Sequence, residues 1–123
     1  MGKNKILIID DEPDFAQLVK KRLEISGYEV AIAVNGNEGL KKIKTEKPDV
    51  VLLDILMPEK DGYTMLQEMK GDESISMTPV IVVTAKPFMQ DLFAIEGIND
   101  YLIKPVDDGD LLLRIKLALE RKV

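Results

Sequence analysis

Five short apolar runs punctuate the chain: Ile6-Leu7-Ile8-Ile9, Ala31-Ile32-Ala33-Val34, Val50-Val51-Leu52-Leu53, Val80-Ile81-Val82-Val83 and Tyr101-Leu102-Ile103. They are short and mostly β-branched, so each reads as a strand buried in a sheet. Between them apolar residues recur at helical spacing. The first such stretch sets Phe15, Leu18 and Val19 on one face, with Ile25 further along it. Pro13 stands near its start and Gly27 closes it, the order expected of a helix. The second carries Leu40 and Ile43 and ends before Pro48. The third carries Met65, Leu66 and Met69 and stops near Gly71. The last begins after Asp107-Asp108-Gly109 and carries Leu111, Leu112, Ile115 and Leu119. This strand–helix alternation predicts an α/β fold, a parallel sheet covered on both faces with right-handed crossovers.

Reactive side chains fall just past these runs. Asp10 and Asp11 follow the first, Asp54 ends the third, Thr84 ends the fourth and Lys104 ends the fifth. Singly, each has a structural explanation. An Asp after a strand forms turns or caps helices, Thr84 fits a strand, Lys104 before Pro105 fits a solvated loop, and Tyr101 fits the core. Asp54 is the least ordinary, because VVLL precedes it and Ile55-Leu56-Met57 follows it, and a lone carboxylate in apolar surroundings is costly. In an open parallel sheet, ligands bind outside the carboxyl ends of the strands. The pattern therefore gathers carboxylates, a hydroxyl and an ammonium around one crevice.

Composition narrows the chemistry. The 123 residues suit one domain spanning 1–123, and 46% are hydrophobic, enough for an ordinary core. No apolar run approaches the roughly 20 residues of a membrane helix. The N-terminal MGKNKILIIDDEPD meets acids too early for a signal peptide, so a cytoplasmic protein is expected. The chain has no Cys and no His, which excludes disulfides, zinc–thiolate sites and Ser-His-Asp hydrolysis. The net charge is −5 with no basic cluster, so direct nucleic-acid binding by this segment is not expected.

Taken together, Asp10-Asp11 in IIDDEPD, Asp54 in LLDILMPEKDG, Thr84-Ala85 after VIVV and Lys104-Pro105 in DYLIKP resemble the receiver domain of two-component response regulators, of the single-domain, chemotaxis-regulator kind. The likeness covers nearly the whole chain. It implies a flavodoxin-like (βα)5 three-layer sandwich with strand order 2-1-3-4-5. It implies Asp54 as phosphoacceptor, and Asp10 and Asp11 as the acidic pair that holds Mg²⁺ with the backbone carbonyl of Leu56. Thr84 and Lys104 would contact the phosphoryl group, Tyr101 matches the aromatic switch position, and the Lys104-Pro105 bond is often cis. The implied partners are a sensor histidine kinase or phosphotransfer protein, and a downstream protein or fused output domain. A stand-alone regulator and a receiver joined to an output domain would both end in a helix such as LLLRIKLALERKV.

The residues permit that chemistry. Crowded carboxylates repel one another, which raises pKa values until a cation intervenes. Mg²⁺ takes oxygen ligands, and Lys104 adds a second positive charge. Asp54 can then act as a carboxylate nucleophile, with catalysis mostly by positioning and charge neutralisation. The donor must be another molecule, since the chain has no histidine. The stretch from Thr84 to Lys104 is shorter than the family's usual spacing, and Pro87 interrupts it. A short fourth helix is therefore expected, about two turns within 89–96, with Phe88 and Phe93 as core residues or partner anchors. Lys86 stands at the mouth of the site, as a phosphate contact or a solvated lysine. The chain is not expected to be an enzyme beyond promoting its own phosphotransfer and dephosphorylation.

The alternative is a pseudo-receiver that binds partners without phosphorylation; complete acceptor, metal and lysine positions argue against it. An aspartyl-phosphate phosphohydrolase needs a second Asp two residues after the nucleophile, where this chain has Leu56. A flavin carrier of the same fold would want a Ser-, Thr- or Gly-rich loop after the first strand, where this chain has DDEPD.

Overall fold

The computed structural model describes residues 2–57, 61–85 and 98–121. Along them the strands are β1 (Lys5–Ile9), β2 (Glu29–Ala33), β3 (Val50–Leu53), β4 (Val80–Thr84) and β5 (Ile98–Ile103). The helices are α1 (Pro13–Ile25), α2 (Gly36–Glu46), α3 (Gly62–Lys70) and α4 (Asp108–Arg121). The strands form one parallel sheet in the order β2-β1-β3-β4-β5, the flavodoxin-like order expected. The short helix expected within 89–96, together with Lys86, Pro87, Phe88 and Phe93, lies outside the described residues. No described helix is long and apolar enough to cross a membrane.

Side chains alternate between the two faces of a strand, and both faces here are covered. Leu7, Ile9, Val51, Leu53, Val80 and Val82 bury against Ile43 of α2 and Met65, Leu66 and Met69 of α3. Ile6, Ile8, Val50, Leu52, Ile81 and Val83 bury against Ala16, Val19 and Leu23 of α1 and Leu111, Ile115 and Ala118 of α4. Each fully buried Ile, Leu or Val contributes roughly 1.5–3 kcal/mol, so these two layers hold the sheet rigid and fix where its ends project. By the same alternation Asp10, Asp54 and Lys104 continue the α1/α4 face, whereas Thr84 and Tyr101 belong to the α2/α3 face.

Two sequence expectations shift. The buried stripe of α1 is Ala16, Val19 and Leu23, with Phe15 packed beside it; Leu18 and Ile25 are 53% and 78% exposed. Leu18 lies about 100° round the helix from Val19, which carries it off the stripe. Helix α1 then stops where Gly27 adopts φ +98, a left-handed conformation that glycine takes without a Cβ clash. The edge strands also begin earlier than their apolar runs, β2 at Glu29 and β5 at Ile98. An edge strand is only partly covered, so polar residues enter it and blur the pattern.

Candidate functional site

Ile9 and Leu53 are ladder partners, so Asp10 and Asp54 leave the sheet side by side. Their backbones remain stitched to it: the Asp10 N–H donates to the Ala33 carbonyl (3.0 Å) and the Asp54 N–H to the Ile9 carbonyl (2.9 Å). Each carboxylate then closes the same small turn. Oδ1 of Asp10 accepts from the Glu12 N–H (2.9 Å), and Oδ1 of Asp54 from the Leu56 N–H (3.0 Å), the local bonding for which Asp is favoured after a strand. One oxygen of each acid is thereby fixed. The other, Oδ2, faces the Lys104 ammonium, at 2.9 Å for Asp10 and 3.2 Å for Asp54. Lys104 is aimed by its own strand end, where its N–H donates to the Thr84 carbonyl at 2.9 Å. The Lys104-Pro105 bond is cis.

Burial sets the electrostatics. Asp10 and Asp54 are 2% and 4% exposed, a costly place for carboxylates unless charge-assisted hydrogen bonds meet them. Burial pushes the Asp10 pKa up, and the bonds from Lys104 and from the Glu12 N–H pull it back only in part. The charge of Asp54 also raises it, but as the smallest of the named causes. The upward direction matches the sequence expectation; desolvation leads it, ahead of mutual repulsion. For Lys104, burial works against the charge, yet the bonds to Asp10 and Glu12 and the charges of Asp10 and Asp54 outweigh it and hold the pKa above the ordinary lysine range.

Three participants were not legible as site residues. Glu12 occupies the N-cap position of α1, where its side chain makes no capping bond; instead Oε1 lies 2.6 Å from the Lys104 Nζ. Carboxylate oxygens of Asp10, Glu12 and Asp54 lie within 4.8 Å of one another, a hard, all-oxygen donor set of the kind Mg²⁺ takes. The Phe15 ring packs under the Lys104 ammonium, its centroid 4.1 Å from Nζ. Gly62 opens α3 and donates its N–H to the Ile55 carbonyl at 3.0 Å. A Cβ there would stand 2.7 Å from the Ile55 Cα and 2.9 Å from the Asp54 carbonyl oxygen, so only glycine lets α3 seat this closely behind Asp54.

The remaining expected residues divide. Asp11 is exposed and stands outside the group of three carboxylates whose oxygens lie within 4.8 Å of one another, a group that includes Glu12. Leu56 has its backbone beside Asp54 through the N–H bond above, with a side chain 49% exposed. Thr84 is fully buried, and its carbonyl anchors Lys104. Tyr101 pairs with Val82 and packs against the α2/α3 core. Thr84 and Tyr101 thus share one face of neighbouring strands, while Asp10, Asp54 and Lys104 touch directly on the other.

The family model of the response regulator receiver domain matches residues 6–116. Among curated proteins, the chain is 39% identical over 119 residues to the DNA-binding dual master transcriptional regulator RpaA of Synechocystis, covering 95% of this chain and 49% of that protein. It is 38% identical over 119 residues to the alkaline phosphatase synthesis transcriptional regulatory protein PhoP of Bacillus subtilis, covering 95% and 49%. The chain thus spans about half the length of the curated relatives it matches. Among solved structures, a CheY-like response regulator receiver domain protein from Methanospirillum hungatei superposes with a TM-score of 0.89 at 33% identity, covering 98% of this chain and 97% of that one.

Proposed function

The chain belongs to the response regulator receiver domain family, signalling domains rather than classical enzymes, and on that premise we propose that Asp54 accepts a phosphoryl group from a phosphohistidine of a partner kinase or phosphotransfer protein. One observation carries the assignment: the Lys104 ammonium lies within hydrogen-bond reach of both Asp10 and Asp54, so three strand ends converge on one buried carboxylate. Asp54 is the nucleophile. Its carboxylate oxygen forms a bond to phosphorus in line with the departing histidine nitrogen, and the acyl phosphate that results is later lost to water.

The donor chemistry fits a resident Mg²⁺. Carboxylates of Asp10, Glu12 and Asp54 would hold it, with Asp11 and the Leu56 carbonyl added on the family resemblance. When bound, the ion supplies positive charge that offsets repulsion between the acids and an incoming phosphoryl group. Lys104 supplies the second cation and orients a phosphoryl oxygen. The Thr84 hydroxyl binds another, and Tyr101 turns inward beside it. The face of β5 and α4 then presents a changed surface to a downstream protein or a linked output domain.

Incubation with a small phosphodonor and Mg²⁺ tests the acceptor: one acid-stable, base-labile phosphate is expected, and Asp54→Asn abolishes it. Uptake that survives this substitution moves the acceptor elsewhere. The switch is tested by Tyr101→Ala, which is expected to uncouple partner affinity from phosphorylation; undiminished coupling removes Tyr101 from that role.

A further inference from the structure

Lys104 has three N–H bonds to give, and all three go to carboxylates, on Asp10, Glu12 and Asp54. Its ammonium nonetheless also rests over an aromatic face, that of Phe15. Phe15 is the third residue of α1 and packs against the α1/α4 core, so the ring is held by the scaffold rather than by the loops of the notch. The face of a benzene ring carries negative potential without a titratable charge or a lone pair. It attracts the ammonium but offers a metal ion no ligand atom, and it does so whatever occupies the carboxylates.

We propose that Phe15 is a positioning residue for Lys104: its ring face keeps the ammonium aimed at Asp54 when the acids turn to other partners. This rests on the phosphoacceptor reading of Asp54. Three carboxylates alone would draw the ammonium into the space where a metal and a phosphoryl group must sit. The ring gives it a fixed wall on the α1 side. A purely structural role for Phe15 would be met by any apolar residue of similar volume, whereas the positioning role needs an aromatic face.

The test uses the full chain with Phe15→Leu and Phe15→Tyr. In metal-free protein, carbon–proton NMR of lysine side chains, with Lys104 identified by Lys104→Arg, is expected to show the Lys104 ε-methylene protons displaced upfield by the ring. The displacement disappears in Phe15→Leu and persists in Phe15→Tyr. Phosphate uptake from a small phosphodonor at saturating Mg²⁺ slows about fivefold in Phe15→Leu, the scale of a partly desolvated cation–π contact, and stays near the parent rate in Phe15→Tyr. Parent-rate uptake in Phe15→Leu overturns the proposal, as does Phe15→Tyr being equally slow. Should Phe15→Leu fail to fold, Phe15→Met is read against the same outcomes. A parent protein that takes up no phosphate defeats the acceptor reading, and an undisplaced Lys104 signal in that protein defeats the ring contact separately.

Discussion

Two lysines of this chain sit among three acids each, at opposite ends of one strand. Lys5 opens β1, with Nζ 2.9 Å from Glu46 and 3.9 Å from Glu29 and its backbone N–H 2.8 Å from Asp49. Lys104 meets Asp10, Glu12 and Asp54 just beyond the other end. The charges are alike and the burial is not. The Lys5, Glu46 and Glu29 side chains are 24%, 41% and 62% exposed; around Lys104, itself 10% exposed, Glu12 is 60% exposed but Asp10 and Asp54 are only 2% and 5% exposed. At the Lys5 end the hydrogen bond from the lysine leads, and Glu46 is held below the usual carboxylate range. At the Lys104 end desolvation leads, and Asp10 is pushed above it. A count of charges does not single out a site. Charges kept out of water do, because only there is the arrangement costly enough to need a reason.

The comparison breaks most visibly at Lys104. Lys104→Met leaves buried carboxylates without their cation, and roughly 3 kcal/mol of stability should be lost in chelator, the scale of a buried pair deprived of one partner. Denaturant melts measure this, and added Mg²⁺ is expected to recover part of it. Phosphate uptake should fall at least about tenfold, since the reaction depends on positioned cations. A loss too small to measure would mean that the notch is not desolvated enough to differ from the Lys5 cluster.

Gly62→Ala probes the same end from the α3 side. The added methyl meets the Ile55 Cα and the Asp54 carbonyl oxygen as well as the Ile55 side-chain tip, and the backbone cannot swing aside, so α3 must retreat, at about 2 kcal/mol for overpacking. The Asp54 peptide moves with it, and phosphate uptake at a temperature where the variant is fully folded should drop several-fold. Folded protein with unchanged uptake would show that the acceptor does not rely on this contact.

These two residues also mark how much could be read in advance. Asp10, Asp54 and Lys104 were legible because each breaks an apolar run at a strand's carboxyl end, a signal carried by sequence position alone. The strand order came with the family likeness, and the parallel layers with the alternation of runs. Glu12 was not legible, since an acid at a helix start ordinarily serves the helix, and only the fold shows its side chain turned to Lys104. Phe15 falls on the apolar face of the first helical pattern and does pack beside the core; its ring contact depends on a lysine brought over from another strand. Gly62 carries no side chain to signal a close approach. Leu18 and Ile25 fit the apolar pattern of the helix by residue type alone, yet both stand exposed, as large apolar residues do on most proteins.

Acid titration should separate the two clusters by sign. The folded pKa of Asp10 is raised, so folding favours its proton, and stability falls as pH rises through the window between the ordinary aspartate value and the raised one. Asp10→Asn removes that penalty. It should melt above the parent protein at neutral pH, and the difference should close as pH falls through the window. Glu46 is the reverse: its lowered pKa gives stability above the unfolded value that is lost as pH falls through the folded one. Glu46→Gln should melt below the parent at neutral pH and converge with it in acid. Differences of the same sign at both positions would remove burial as the distinction.

The smallest effect is expected at Lys5. Its ammonium stands in solvent, where ion pairs are screened and held at an entropic cost. The backbone bonds that join Lys5 to Asp49, from the Lys5 N–H to the carboxylate and from the Asp49 N–H to the Lys5 carbonyl, survive any change of side chain. Lys5→Met should therefore shift the thermal midpoint by no more than about two degrees, leave phosphate uptake at the parent rate, and lose even this shift in about 1 M salt. The penalty of Lys104→Met, arising where salt penetrates poorly, should persist there. Salt is the finer instrument of the two, because it acts on the parent fold without altering a residue. If both penalties faded together with added salt, the notch and the Lys5 cluster would be electrostatically equivalent, and burial could not be what makes one of them reactive.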